Sequence, residues 1–202
     1  MNWQLTECMQ YIFRKPFGIH SPFLYNFADQ CLFADDHHQR FDQIEQNRRK
    51  LTPVTSPAPG PKASRLLYRT AIYFNAPSII EINVRQQLTR QYFQLAGSSI
   101  SVHTVDQNSI DMHIGQGEFR GIIYLDNEMH ADELSRLYPL LFDKVYHESL
   151  IIYYGINKNR ETKKLWKTMA ADQRITLALE LGKLGYLFFN KALSKEIIRV
   201  GF

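Results

Sequence analysis

Apolar positions in this chain recur with two periods that take turns. Ser78–Ile82 (SIIEI) is a short apolar run broken by one acid, Glu81, and predicts a buried strand. Gln86–Ala96 switches to helical spacing, with Leu88, Tyr92, Leu95 and Ala96 on one face and Gly97 placed as a C-terminal cap. The switch repeats downstream. Ile100–Val105 alternates as a strand ending on Asp106, and Gly121–Leu125 is a nearly all-apolar strand ending on Asp126. Leu134, Leu137, Tyr138 and Leu141 mark the next helix, Leu150–Tyr154 a further buried strand, and Glu161–Ala170 a helix with Leu165, Trp166 and Met169 inward. Arg174–Leu181 and Tyr186–Asn190, joined across Gly182-Lys183-Leu184-Gly185, read as an antiparallel hairpin, and Lys195–Phe202 as a final short strand. Strands alternating with helices predict a mostly parallel α/β sheet, to which the hairpin adds an antiparallel edge.

The N-terminal quarter follows helical spacing only. Residues 3–13 put Leu5, Cys8, Met9, Ile12 and Phe13 on one face, and Arg14–Gly18 interrupts the pattern. Ser21 is an N-cap and Pro22 suits the first helical position, opening a helix that buries Phe23, Leu24, Phe27 and Cys31. A third helical stretch, 39–51, sets Phe41, Ile44 and Leu51 against charged faces. Thr52 to Lys62 holds four of the eight prolines, which excludes regular helix and a central strand. The chain therefore divides into an N-terminal helical arm (1–51), a proline-rich linker (52–63) and an α/β domain (64–202) opening on a helix over 64–75.

Composition narrows the classes. The 202 residues, 45% apolar and 13% aromatic, suit a globular domain with a sizeable core. The net charge of +4 is scattered, and its densest group, Arg48-Arg49-Lys50, sits at a helix end where positive charge favours the dipole. No recognition motif accompanies it, so a nucleic-acid partner is not expected. Cys8 and Cys31 fall on apolar faces without metal-ligand spacing, which indicates buried thiols in a reducing compartment. No leader pattern and no run of eighteen apolar residues is present, and a soluble, cytoplasmic protein is expected. His20 precedes a helix N-cap and His37-His38 mark a helix start; no nucleophile elbow, phosphate loop or cysteine–histidine pair occurs.

Strand, tight turn and helix at 78–96 form an arrangement with which α/β proteins hold nucleotides, because the turn and helix N-terminus offer N–H groups to an anion. The turn here, Asn83-Val84-Arg85-Gln86-Gln87, has no glycine, and none occurs between Gly60 and Gly97. The element order, with its late antiparallel hairpin, resembles a class I S-adenosylmethionine-dependent methyltransferase. GIHSPFLYNF at 18–27 is similar to the N-terminal motif of a group of Bacteroidetes methyltransferase-like proteins, and SRLLYRTAIYFNAPSIIEI at 64–82, YLDNEMH at 124–130 and LGYLFFNKALSKEIIRVGF at 184–202 resemble further segments of that group. The resemblance implies a Rossmann-like methyltransferase fold. It also implies that Glu81, Asp106 and Asp126 would hold the cofactor if the ancestral site functions, with His130 or Tyr154 near the acceptor.

Departures from the family pattern bear on function. The family follows its first-strand acid with a glycine–x–x–x–glycine loop; here Ile82, Arg85 and Gln86 bring side chains into that space, and a β-branched residue resists positive φ. Arg85 adds positive charge where the cofactor's sulfonium is itself positive. The fourteen residues Gln107–Arg120 reach at most ~46 Å extended, enough for a crossover but not for the family's helix, third strand and helix. The third strand is expected to be missing. Asp126, Glu128 and His130 offer oxygen and nitrogen ligands, but Asp126 or Asn127 equally suits the cap of the next helix, and no metal is assigned. The expectation is a degenerate methyltransferase-like protein without cofactor, acting as a binding or assembly module through a homodimer or protein partner on the arm. The alternative is an active S-adenosylmethionine-dependent methyltransferase on a small-molecule or protein acceptor.

Overall fold

The computed structural model describes residues 21–35, 38–52, 58–106, 109–110, 114 and 119–201. Helix α1 (Pro22–Phe27) runs into a π-helical turn, Ala28–Leu32, and is followed by α2 (Gln39–Gln46), α3 (Arg48–Leu51) and α4 (Pro61–Tyr73). Then come β1 (Ser78–Ile82), α5 (Leu88–Ala96), β2 (Ser101–Val105), β3 (Ile122–Leu125), α6 (Ala131–Lys144), β4 (Leu150–Tyr154) and α7 (Arg160–Ala171). Strands β5 (Leu177–Leu181), β6 (Leu184–Phe188) and β7 (Glu196–Val200) close the fold. All lie in one seven-stranded sheet of order β2-β1-β3-β4-β6-β5-β7, in which β6 alone runs against its neighbours. Among the described residues β2 is the outer strand on its side, and no strand is described between it and β3 in the chain.

Both faces of the sheet are covered, which is why its central strands read as continuous apolar runs. Ile79, Tyr124, Ile152 and Tyr186 pack beneath α4 and α1, while Ile80, Ile123, Ile151 and Tyr153 pack beneath α6 and α7. A smaller cluster joins Phe41 and Ile44 of α2 to Leu88 and Tyr92 of α5. The hairpin turn is confined to Gly182-Lys183, because Leu184 and Gly185 already belong to β6. A Cβ on Gly185 would come within 2.5 Å of the Trp166 ring, so glycine there serves close packing rather than the turn. The final strand pairs parallel to β5, with Ile197 opposite Ala178.

Ser21 caps α1 as expected, its Oγ accepting from Leu24 N at 3.4 Å. The apolar face of α1 is covered by the chain itself: Phe27 has no exposed surface, and its ring lies 5.8 Å from that of Phe188 and 5.5 Å from that of Tyr73. The pattern over 39–51 splits into two helices at Asn47, and α4 begins at Pro61, ahead of the expected start, because proline fits the first helical turn behind Gly60. Cys31 is buried as a free thiol. Cys8, His20, His37 and the helix expected over 3–13 lie outside the described residues. No helix among the described residues is long and apolar enough to cross a membrane.

Phe27→Ala removes the ring on which this arm packs, and is expected to cost about 3–5 kcal/mol of unfolding free energy. Urea titration followed by circular dichroism reads it; a loss below about 1 kcal/mol would mean that the arm does not share the core.

Candidate functional site

Parallel strands β2, β1, β3 and β4 deliver their carboxyl ends to one edge, and β1 is the point from which the chain runs both ways along the sheet. In such folds the crevice at that switch point is where ligands sit. Glu81 near the end of β1 is fully buried. Its Oε1 accepts from Thr89 Oγ1 at 2.5 Å, its Oε2 from Thr104 Oγ1 at 2.9 Å, and the Arg90 guanidinium lies 3.6 Å away. Burial pushes its carboxyl up, against the lowering effect of those three partners.

Asp126, just past β3, is also fully buried. Gln86 Nε2 donates to its Oδ2 at 3.4 Å and to Thr89 Oγ1 at 3.0 Å, while Asn127 N donates to Asp126 Oδ1 at 2.5 Å. Gln86 Oε1 in turn accepts from Thr89 N at 3.1 Å. One side chain, 2% exposed, therefore bridges the end of β3 to the first turn of α5 across the β1/β3 crevice. Burial pushes the Asp126 carboxyl up to about 7, with the Gln86 and Asn127 hydrogen bonds opposing.

The backbone of the turn departs from the sequence expectation. Positive φ falls on Asn83 (54°) and not on Ile82, and Asn83 N donates to Val105 O at 2.9 Å. Asparagine is the residue other than glycine that most readily adopts this conformation, so the missing glycine is no obstacle to the turn. Arg85 does not fill the site either: its side chain is 79% exposed, with Nε 3.4 Å from Glu128 Oε2. Of the polar side chains of the turn, Gln86 is the buried one. Two of the N–H groups at this helix start are engaged within the chain, Gln87 N by Leu51 O at 2.8 Å and Thr89 N by Gln86 Oε1.

Beside the filled crevice a cleft of about 520 Å³ remains open, lined by Asn83, Val84, Arg85, Thr104, Val105, Asp106, Glu128, His130 and Glu133. Asp106 and His130 thus stand on one cleft, whereas Glu81 and Asp126 lie behind it and do not line it. Tyr154 is on the other side of the crevice, its hydroxyl donating to Ala58 O at 3.3 Å. The cap of α6 is His130, with Glu133 accepting from His130 N at 3.2 Å; neither Asp126 nor Asn127 plays that part. Asn127 instead packs over Gly155, whose φ of 98° and missing Cβ let it approach; a Cβ there would meet that of Asn127 at 2.5 Å. Among the described residues no group of three or more His, Cys, Asp or Glu is placed to hold a metal. Sequence reasoning missed the bridging role of Gln86; its signal was a polar residue in phase with Thr89 on the buried side of the helix start.

No family model and no curated protein matches this chain. Its shape matches solved structures. An S-adenosylhomocysteine-bound methyltransferase of Podospora anserina aligns with TM-score 0.62 at 10% identity, over 95% of this chain and 97% of its own. A Staphylococcus aureus protein provisionally titled a caffeoyl-CoA O-methyltransferase aligns with TM-score 0.58 at 12% identity, over 75% and 95%. The chain has a class I methyltransferase fold. The Streptomyces achromogenes O-methyltransferase TomG, in complex with S-adenosylmethionine, aligns with TM-score 0.53 at 10% identity over 77% and 91%. Within this methyltransferase fold the β1/β3 crevice and the cleft beside it are the two halves of the carboxyl edge; here one is filled and the other open.

The raised Asp126 carboxyl has a definite sign in stability. Folded Asp126 holds its proton up to about pH 7, while the unfolded residue loses it near 3.8, so its contribution is complete below pH 3.8 and is lost as pH rises through 7. Glu81 acts in the same direction. Chemical unfolding between pH 4 and 8 is expected to show Asp126→Asn with a flatter profile than the parent chain; parallel profiles would contradict the assignment.

Proposed function

We propose that this chain is a degenerate methyltransferase-like protein that does not place a methyl donor and serves as a binding or assembly module. The observation that carries this reading is Gln86, buried and bonded to Asp126 and Thr89 in the crevice that the fold would use for the cofactor's charged end. A donor bound there must displace that side chain and leave the buried Asp126 Oδ2 without the Gln86 donor, a cost of roughly 1–3 kcal/mol before any contact is gained. The Arg85 cation at the rim is a poor neighbour for a sulfonium. On these grounds S-adenosylmethionine does not fit, and no transfer step is derived through it. The finer kinship with the Bacteroidetes group that shares GIHSPF, and a second copy or protein partner taken up through the N-terminal arm, belong to the same reading.

A second reading, an active S-adenosylmethionine-dependent methyltransferase, is favoured by the open cleft with Asp106 and His130 on its wall. Asp106 would there accept from a ribose hydroxyl, and His130 would face an acceptor, with positioning supplying most of the rate.

Calorimetric titration with S-adenosylmethionine and S-adenosylhomocysteine separates the two. The expected result is no saturable heat at about 1 mM ligand. A site with a dissociation constant of about 10 μM would instead stabilise the fold by about 2.7 kcal/mol at that concentration, visible as a thermal shift. Such a shift would overturn the first reading. Gel filtration of the full chain over a range of concentrations tests the arm: concentration-dependent association supports a second copy there, and a monomer throughout counts against it.

A further inference from the structure

We propose that helices α2 and α3 form an autoinhibitory strap whose docking on α5 keeps the β1/β3 crevice closed. The strap is fastened at identifiable points. Glu45 Oε1 accepts from the Tyr92 hydroxyl of α5 at 2.7 Å, and Arg48 grips Glu45 through Nε at 2.5 Å. Arg48 Nη1 also donates to Pro59 O at 2.9 Å, holding the segment that receives the Tyr154 hydroxyl from the end of β4. At its far end the strap sets Leu51 O on Gln87 N at 2.8 Å.

The last contact gives the arrangement its meaning. Leu51 O takes an N–H at the start of α5 that the strand–turn–helix otherwise offers to a ligand, so the strap occupies a ligand's position with a carbonyl of its own. Its underside is an apolar seam, Phe41 and Ile44 against Leu88 and Tyr92 with Leu51, Ala58, Tyr68 and Leu95 around them, distinct from the two large clusters that hold the sheet. Tyr92 is pinned through its hydroxyl while its ring fills the seam, and burial with the Glu45 bond holds that hydroxyl well above its usual pKa, keeping it a donor. A unit whose apolar seam is distinct from the sheet's two clusters, and whose other fastenings are polar, can open without unfolding the sheet. Opening frees Gln87 N and uncovers the turn in which Gln86 bridges to Asp126. The inference rests on the proposed reading, in which the crevice is closed by the chain's own groups, and adds that the closure is conditional.

The test compares the full-length parent chain with Tyr92→Phe, Arg48→Ala and the double variant by hydrogen–deuterium exchange, with S-adenosylhomocysteine as the binding probe. Residues 83–92 are expected to exchange about tenfold faster in each single variant and faster again in the double one, while 122–125 and 150–154 keep parental protection. The double variant is expected to gain at least tenfold in affinity for the probe over the parent. Parental exchange at 83–92, loss of protection in the central strands together with them, or opening without any gain in probe affinity would each overturn the strap. Tight probe binding by the parent would overturn the closed-crevice reading itself, an outcome distinguishable because it needs no variant.

Discussion

A carboxylate with no exposed surface stands at the end of β1, and an uncompensated charge there would cost several kcal/mol. Its compensation comes from three groups on two other elements: Thr89 and Arg90 from the start of α5, and Thr104 from β2, to which Arg90 also donates. Satisfying Glu81 therefore fixes the register of β1 against β2, Glu81 opposite Thr104, and the rotation of α5 about its axis. Once α5 is set, Thr89 faces the crevice and Gln86 must lie within reach of it. The filled crevice is a consequence of how the first-strand acid is neutralised.

The strand cores and helix faces of this fold were legible because they are matters of period. Ser78–Ile82 and Leu150–Tyr154 have the bounds that their apolar runs indicate, and Glu81 looked buried because apolar residues flanked it on both sides. What was not legible depended on contacts between distant segments. That Asn83 would take the left-handed conformation was open to reading from residue type, but a search for glycine passed over it. The phase of Gln86 with Thr89 marks it as inward, but that its partner is Asp126, forty positions away, has no local signature. Capping by His130 was likewise obscured, since histidine competes poorly with aspartate and asparagine in any list of cap residues.

The carboxyl edge separates into two chemically different halves. In the crevice Glu81, Asp126, Gln86 and Thr89 are engaged by other groups of the chain, while the buried Tyr124 hydroxyl and Asn127 Oδ1 are left without a hydrogen-bond partner among the described residues. In the cleft, by contrast, charged side chains of both signs face open volume, with Arg85 and Glu128 paired across it. A ligand reading of the cleft and a closed reading of the crevice are thus compatible within one molecule.

Competition decides how firmly such a crevice is shut. Leu51 O and Gln86 Oε1 are tethered to the N–H groups they cover, so a ligand group must displace partners whose effective concentration is at least millimolar. The two closures also differ in kind: Gln86 is held by the buried acid network, whereas Leu51 is carried on helices with a seam of their own. Release of the second is therefore the less costly motion, and it is the one that can proceed while the sheet and Glu81 remain as they are.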